Sequence, residues 1–301
     1  GPGIGLLSTK YGSFLKHPDL FDNAEFGVSN RDARAMAPAT RLLIEQCFLA
    51  LLDSGIEFRN KRVGCFVSAN LADISNAGLG KPDEYELRGS FARIPTMLAN
   101  RISFHLDLLG PSFPLDTACS STQTAFHLAV QSILSGDCES ALVGGCQLNQ
   151  RILDWIEYGQ FGILSPDGKC KPFDAGADGF GRAEGCAAVV LKPLAEALRD
   201  GDRVYATVHG TATNNNGAGG PPAAPVAKYQ AEAMDAAFKR AGRKPSEVSY
   251  VEVHATGTAK GDPTEANWVG ERCSRGREGD LLIGSVKGNI GFVILLLCYG
   301  C

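Results

Sequence analysis

Helix-like and strand-like segments alternate along almost the whole chain, and this alternation restricts the possible folds more than any other feature of the sequence. A helical pattern of leucines begins at Pro38 and stops before Gly55, where the chain can turn. Apolar strand patterns follow at residues 63–67, 112–116, 141–145, 187–191, 204–208, 248–253 and 281–286. This order is typical of layered α/β proteins, in which helices cover a central sheet.

The composition excludes several classes of protein. With 44% hydrophobic and 21% charged residues, the chain resembles ordinary globular proteins. Its 29 basic and 33 acidic residues give a net charge of −4, without the basic face that nucleic acid requires. The apolar run at 292–297 is much shorter than the ~20 residues of a membrane span, and residues 1–5 do not resemble a signal peptide. We therefore expect a cytoplasmic protein that binds neither nucleic acid nor membranes.

Most of the ten cysteines lie in apolar runs. This pattern predicts reduced, buried thiols in an intracellular protein rather than the disulfide framework of a secreted one. Cys298 and Cys301 have CxxC spacing, but no second ligand pair accompanies them, so we predict no metal site.

Cys119 differs from the other cysteines because it lies where a predicted strand passes directly into a predicted helix, residues 119–135. The unpaired amides at a helix N-terminus favour a thiolate over a thiol. Small neighbours allow a carbonyl group to approach, and backbone N–H groups there can stabilise an oxyanion. The residues alone leave two interpretations open, a nucleophile and a small buried residue that begins a helix.

Residues 116–121, Asp-Thr-Ala-Cys-Ser-Ser, resemble the active-site motif of β-ketoacyl synthases, the condensing enzymes of the thiolase fold. The similarity extends from about residue 21 to residue 291 and is strongest to the ketosynthase domains of fungal iterative type I polyketide synthases. Further motifs that carry it lie at 21–33, 99–103, 109–112, 164–174, 177–179, 199–202 and 253–258.

The resemblance implies a thiolase-like α/β fold that is truncated at both ends. Residues 1–185 would form a first half with the nucleophile, and residues 186–301 an incomplete second half with the histidine and lysine motifs. Each half would have a central mixed sheet and covering helices. The family's reaction is a decarboxylative Claisen condensation of malonyl and acyl thioesters in polyketide or fatty acid biosynthesis. Substrates are carried on the phosphopantetheine of an acyl carrier protein, no cofactor is bound, and a homodimer is expected.

The resemblance also assigns residues to the site. His254 follows a predicted strand, and by itself it can be either a hydrogen-bond donor to an anionic oxygen or a core histidine. The resemblance makes it the first catalytic histidine and Lys287 the catalytic lysine. Thr256 and Thr258, in the histidine motif, and Asn289, in the lysine motif, are implied as supporting residues.

Residues 262–265, Asp-Pro-Thr-Glu, predict the beginning of a helix. In this prediction Asp262 is the N-cap and Glu265 closes a capping box. The resemblance implies that Glu265 forms an ion pair with Lys287, and the two roles are compatible.

Phe292 is a departure from the family, which has a second catalytic histidine at this position. A phenyl ring neither donates a hydrogen bond nor carries a charge. The loss of one oxyanion donor typically costs a factor of ~10²–10³ in rate. Three functions therefore stay open: a complete synthase, a fragment that only acylates Cys119, and a non-catalytic remnant that serves in dimerisation or in binding a carrier protein.

Overall fold

The computed structural model describes residues 5–76, 94–221 and 224–294. Its helices are α1 (Asn30–Ala35), α2 (Pro38–Ser54), α3 (Leu71–Asn76), α4 (Met97–Leu106), α5 (Ser121–Leu134), α6 (Ile152–Gln160), α7 (Leu194–Asp200), α8 (Ala227–Ala241), α9 (Gly261–Cys273) and α10 (Lys287–Ile290). Its strands are β1 (Val63–Ala69), β2 (Ser112–Leu115), β3 (Ser140–Gln147), β4 (Gly185–Leu191), β5 (Tyr250–Glu252) and β6 (Leu282–Gly284). Short 3₁₀ turns lie at Ala118–Ser120 and Pro245–Glu247.

The chain divides into two compact units, each assembled from separate stretches of sequence. The first unit comprises Leu15–Gln150 and Gly185–Thr207, and the second comprises Gly1–Phe14, Arg151–Glu184 and Val208–Cys301. The boundary predicted after residue 185 divides the sequence into two consecutive halves. In the structure, the chain passes from the second unit back to the first between residues 184 and 185.

The first unit is built on a mixed sheet with the strand order β2-β1-β3-β4. Strand β1 is parallel to β2 and β3, whereas β4 is antiparallel to β3. Every residue of β1 and β3 is buried, which explains their nearly continuous apolar sequences. Because strands β1 and β2 are parallel, the carboxyl end of β2 lies at the same edge of the sheet as that of β1.

Helices cover both faces of this sheet. On one face α2 packs against β3 and β4 and α4 packs against β1 and β2, with Leu43, Ile44 and Leu51 of α2 fully buried. On the other face Ala125 and Ala129 of α5 pack against Phe66. The predicted bounds of α2 are confirmed, with Pro38 in its first turn and Gly55 in the left-handed conformation after its last residue.

The second unit contains a parallel pair of strands, β5 and β6, with α8 and α9. Its apolar core includes Val253 and Ala255, which follow β5, and Val269 and Cys273 from α9. The strand predicted at 204–208 is wrong, because these residues form no strand and the side chains of Val204, Tyr205 and Val208 are exposed. An apolar pattern without a partner strand does not form a sheet.

The described residues contain neither a membrane-spanning helix nor a metal-binding group of side chains. Within the described ranges, no helix combines the length and the apolar character of a membrane span. In the same ranges, no three or more His, Cys, Asp and Glu side chains are grouped so as to hold a metal ion. The CxxC residues Cys298 and Cys301 lie outside the described residues.

Candidate functional site

Cys119 lies in the first unit, at the centre of the 3₁₀ turn Ala118–Ser120 that joins β2 to α5. The predicted strand-to-helix junction is therefore confirmed. The side chain is half-buried, and helix α5 begins two residues later at Ser121. A thiol in this place is near the N-terminal amides of the helix, which favour a negative charge.

The backbone before Cys119 turns sharply. Ala118 has φ = 54°, a left-handed conformation that residues with a side chain rarely adopt. The N–H of Ala118 donates to Oδ1 of Asp116 at 3.0 Å. A sharp turn between a strand and a helix also exposes the nucleophile in the nucleophile elbow of α/β-hydrolases.

Two other cysteines of the first unit, Cys47 and Cys65, are less suited to act as nucleophiles. Cys47 and Cys65 are fully buried between α2 and the sheet. Burial raises the pKa of the Cys65 thiol to about 12 and raises that of Cys47 well above its usual value. Thiolate chemistry at neutral pH therefore favours Cys119 over both.

His254 lies in the second unit, in the loop between β5 and α9. Its backbone N–H donates to Oε1 of Glu265 at 2.8 Å, and the N–H of Ala255 donates to Oε2 at 2.9 Å. The carbonyl oxygen of His254 accepts a hydrogen bond from Oγ of Ser285 at 3.3 Å. These bonds fix the backbone that presents the imidazole.

The capping box predicted for α9 is wrong. The helix begins at Gly261, so Asp262 lies within the first turn rather than at the N-cap. Glu265 does not close a capping box, because both of its carboxylate oxygens bind the amides of the histidine loop. Buried N–H groups of that loop need acceptors, and this requirement outweighs local capping.

Asp262 holds the other end of the histidine loop. Its carboxylate, 3% exposed, accepts hydrogen bonds from the N–H groups of Gly257, Thr258 and Phe173 at 3.1 Å each. Gly257 has φ = +90°, and a Cβ there would lie 2.7 Å from the backbone nitrogen of Lys171. The close approach and the positive φ both require glycine.

Lys287 begins α10 and is 1% exposed. Its Nζ donates to the carbonyl oxygen of Val253 at 3.2 Å, in the residue between β5 and His254. The direct ion pair expected with Glu265 is not formed in the described part of the chain. Burial raises the pKa of the Glu265 carboxyl, and the amide hydrogen bonds and the charge of Lys287 act in the opposite direction.

The three supporting residues differ in position. Thr256 is buried in the histidine loop. The hydroxyl of Thr258 accepts a hydrogen bond from the N–H of Gly261 at 3.2 Å, which connects the loop to the first turn of α9. Asn289 is exposed on α10. The second unit thus gathers Thr256, Thr258 and Glu265 around the backbone of His254, while Asn289 faces solvent.

Phe292 packs against the imidazole. Its side chain is 2% exposed, and its ring centroid lies 5.3 Å from that of His254 at an interplanar angle of 80°. Phe180 lies on it at 5.1 Å and 84°. The backbone of Phe292 donates to the carbonyl oxygen of Gly181 and accepts from the N–H of Ala183. An apolar ring therefore occupies one side of His254, where it offers no hydrogen bond.

Two features of the site had no clear signal in the sequence. The left-handed conformation of Ala118 is one, because alanine carries no preference for it. The other is the role of Asp262, whose position before Pro263 predicts only a helix cap. Its contact with Phe173 spans 89 residues of sequence, and such a contact leaves no local pattern.

Comparison with known proteins identifies relatives over almost the whole chain. Residues 3–197 match the family model of the β-ketoacyl synthase N-terminal domain, and residues 205–294 match that of the C-terminal domain. A highly reducing polyketide synthase (stpks1) of Strobilurus tenacellus is 53% identical over 97% of this chain and 10% of its own length. A phenolphthiocerol/phthiocerol polyketide synthase of Mycobacterium tuberculosis is 44% identical over 94% of this chain and 15% of its own length.

Solved structures show the same relationship. The oxazolomycin ketosynthase domain OzmH KS7 of Streptomyces albus JA3453 has a TM-score of 0.86 and 36% identity over 95% of this chain and 51% of that chain. The ketosynthase from module 6 of the bacillaene synthase of Bacillus subtilis 168 has a TM-score of 0.85 and 32% identity, over 95% of this chain and 49% of that chain. The chain thus spans about half of the solved ketosynthase chains and a small fraction of the curated synthases. The expected fold is confirmed as the thiolase-like fold of ketosynthases, and the chain belongs to the β-ketoacyl synthase family.

Proposed function

We propose that this chain acts as the condensing part of a polyketide synthase, in which Cys119 receives an acyl group from a carrier-protein thioester. The observation that carries the proposal is the position of Cys119, half-buried on a left-handed turn at the N-terminus of α5. The amides of that terminus favour the thiolate. Fully buried Cys47 and Cys65, with raised thiol pKa values, lack these properties.

The proposed reaction is covalent catalysis in two stages. The Cys119 thiolate attacks the carbonyl carbon of an acyl thioester, a new C–S bond forms, and the phosphopantetheine thiol leaves. A malonyl thioester then loses carbon dioxide, and the electron pair of the broken C–C bond forms an enolate. The enolate carbon attacks the acyl carbon on Cys119, so that a β-ketoacyl thioester forms and the Cys119 thiolate is released.

The histidine loop supports the malonyl stage of this proposal. His254 is assigned as the hydrogen-bond donor to the developing enolate oxygen, and Lys287 as a buried positive charge that favours anionic species nearby. Glu265, Thr256 and Thr258 are assigned to holding the loop, which their hydrogen bonds support in the case of Glu265 and Thr258.

Phe292 favours a second candidate function, acylation of Cys119 without efficient condensation. The phenyl ring packs edge-to-face on the imidazole at the position where the family has a second histidine. The loss of one donor of this kind weakens stabilisation of the enolate and lowers the rate by a factor of ~10²–10³. Acylation depends on the Cys119 thiolate and on the N-terminal amides of α5. Phe292 belongs to neither, so its presence should leave acylation intact.

The proposed partners follow from the family. We assign the carrier-protein domain as the source of acyl and malonyl groups on phosphopantetheine, without a cofactor bound to this chain. A homodimer and a cytoplasmic location belong to the same proposal. A non-catalytic remnant that only dimerises or binds a carrier protein is the outcome to be excluded.

Intact-protein mass spectrometry after incubation with an acyl pantetheine thioester tests the proposal. We expect a mass increase of one acyl group that is absent in Cys119→Ser and present in Cys65→Ser, the matched control. Release of carbon dioxide from a malonyl thioester and formation of a β-ketoacyl product then separate the two candidates. Loading with condensation supports the synthase, loading alone supports the second candidate, and no loading of Cys119 contradicts both.

A further inference from the structure

The peptide that precedes Cys119 is held in its left-handed conformation by a side chain. A conformation this sparsely populated persists only where surrounding groups stabilise it, because Ala118 gains nothing from it by itself. If the turn relaxed, the Cα of Cys119 would move relative to the N-terminus of α5. The groups that hold Ala118 therefore also determine the position of the sulfur.

Asp116 accepts the N–H of Ala118 through Oδ1, and Ser121 binds the carbonyl side of the same residue. The Ser121 side chain is 0% exposed, and its Oγ donates to the carbonyl oxygen of Ala118 at 2.6 Å. The same Oγ accepts a hydrogen bond from the N–H of Thr117 at 2.8 Å. One hydroxyl thus bridges the N–H of Thr117 and the carbonyl oxygen of Ala118. Replacement by a group without a hydroxyl leaves the Thr117 N–H without this acceptor.

Ser120 provides a contrast within the same turn. Its Oγ donates to the carbonyl oxygen of Thr117 at 3.0 Å and lies 3.0 Å from Oγ1 of Thr117. These contacts involve no atom of Ala118 itself, although the Thr117 carbonyl belongs to the peptide group that joins Thr117 to Ala118. The Ser120 side chain is only half-buried. The two neighbouring serines therefore have the same chemistry, but only the Ser121 hydroxyl binds an atom of the left-handed residue.

We propose that Ser121 is a positioning residue, whose hydroxyl keeps Ala118 left-handed and thereby keeps the Cys119 sulfur at the N-terminus of α5. The inference rests on the proposed function in that Cys119 is taken as the nucleophile. Ser121 itself does not contact the reacting groups. It affects the reactivity of the Cys119 thiol by holding the backbone of Ala118 in the left-handed conformation.

The first test measures the rate of alkylation of Cys119 by iodoacetamide as a function of pH, with the modified cysteine identified by peptide mass spectrometry. We expect Ser121→Ala to react about tenfold more slowly than the wild-type chain at neutral pH, because the thiol is displaced from the helix amides. The control Ser120→Ala is expected to stay within about twofold of the wild-type rate. Ser121→Thr, which keeps the hydroxyl, is expected to react faster than Ser121→Val, which has the same shape without it.

The second test is a rescue that a merely structural role does not predict. Glycine adopts positive φ without steric cost, so Ala118→Gly should reduce the need for the Ser121 hydroxyl. We expect Ala118→Gly to restore at least about half of the lost alkylation rate, on a logarithmic scale, in the Ser121→Ala background. If Ser121→Ala does not fold, the Thr and Val variants carry the comparison, with far-UV circular dichroism as the check on folding.

The inference is overturned if Cys119 is alkylated as fast in Ser121→Ala as in the wild-type chain, or as fast in Ser121→Val as in Ser121→Thr. It is also overturned if Ala118→Gly does not restore the alkylation rate of Ser121→Ala. Alkylation uses no thioester, so this outcome is distinct from failure of the proposed function. A wild-type chain that is alkylated at Cys119 but not loaded by acyl pantetheine contradicts the function and leaves the role of Ser121 intact.

Discussion

Replacing Glu265 with alanine is expected to destabilise the second unit by about 3 kcal/mol, because it removes the acceptor of two buried amides. The carboxylate is 5% exposed and binds the N–H groups of His254 and Ala255 at 2.8 and 2.9 Å. Hydrogen bonds to charged groups contribute about 1.5–3 kcal/mol each, so two of them contribute about 4 kcal/mol. Burial of the carboxylate, which also raises its pKa, is unfavourable and offsets about 1 kcal/mol of this sum.

The two tryptophans make this loss measurable. Trp155 and Trp268 both belong to the second unit, so tryptophan fluorescence during urea unfolding follows that unit. Trp268 lies on α9, one turn after Glu265, and its Nε1 donates to Oε1 of Gln230 at 2.8 Å. The free energy of unfolding is obtained by linear extrapolation to water, and an unchanged slope indicates an unchanged extent of unfolding.

Glu271→Ala is the matched control, because Glu271 lies on the same helix and its side chain is exposed in an ion pair with Arg275. Exposed pairs contribute about 0–1 kcal/mol, so the control should scarcely change the transition. Glu265→Gln, which keeps one acceptor oxygen, should fall between Glu265→Ala and the wild-type chain. A loss below about 1 kcal/mol for Glu265→Ala, or one equal to that of the control, would refute the role assigned to the carboxylate.

Three further predictions can be tested by urea unfolding or by iodoacetamide labelling. Gly257→Ala should lower the free energy of unfolding by at least about 2 kcal/mol, because of its positive φ and the close backbone of the facing loop, whereas Gly276→Ala, also at positive φ but in open space, should cost only about 1 kcal/mol. In native protein at mildly alkaline pH, iodoacetamide should modify Cys119 and leave Cys65, with a pKa of about 12, unmodified; equal modification of both by peptide mass spectrometry would contradict this. Burial raises the pKa of Glu265 above its usual 4.5, so the folded chain retains a proton that the unfolded chain loses, and the stability measured by urea unfolding should fall as pH rises from 4.5 through the raised pKa. Glu265→Gln should lack that fall, and an identical pH profile for the two chains would count against the assignment.

Local signals were sufficient where a structural element is determined by its own residues. The bounds of α2 could be predicted because Pro38 suits a first turn and Gly55 suits the left-handed residue after a helix. The buried strands β1 and β3 have nearly continuous apolar sequences, as central strands require. The junction at Cys119 could be predicted because the strand and helix patterns meet there.

Prediction failed where the structure depends on distant residues. The apolar pattern at 204–208 resembles a strand, but a strand needs a partner, and no partner strand pairs with it among the described residues. The capping box at 262–265 failed for a related reason. The carboxylates of Asp262 and Glu265 accept hydrogen bonds from amides of the histidine loop instead of capping their own helix. Sequence spacing does not reveal which amides will be buried near a carboxylate.

The contacts of Asp262 and Glu265 show that the backbone and the ring of His254 are controlled by different groups. The two carboxylates lie in the first turns of α9 and accept hydrogen bonds from both ends of the loop, so they fix its backbone. The ring contact with Phe292 comes from a different segment and involves no hydrogen bond. Substitutions on α9 should therefore act mainly on stability and on the position of the loop. Substitutions of Phe292 should act on the surroundings of the imidazole while the loop backbone keeps its place. Under the proposed function, we therefore expect the difference between condensation and loading of Cys119 alone to depend on the groups beside the His254 ring, because the hydrogen bonds to its backbone do not involve Phe292.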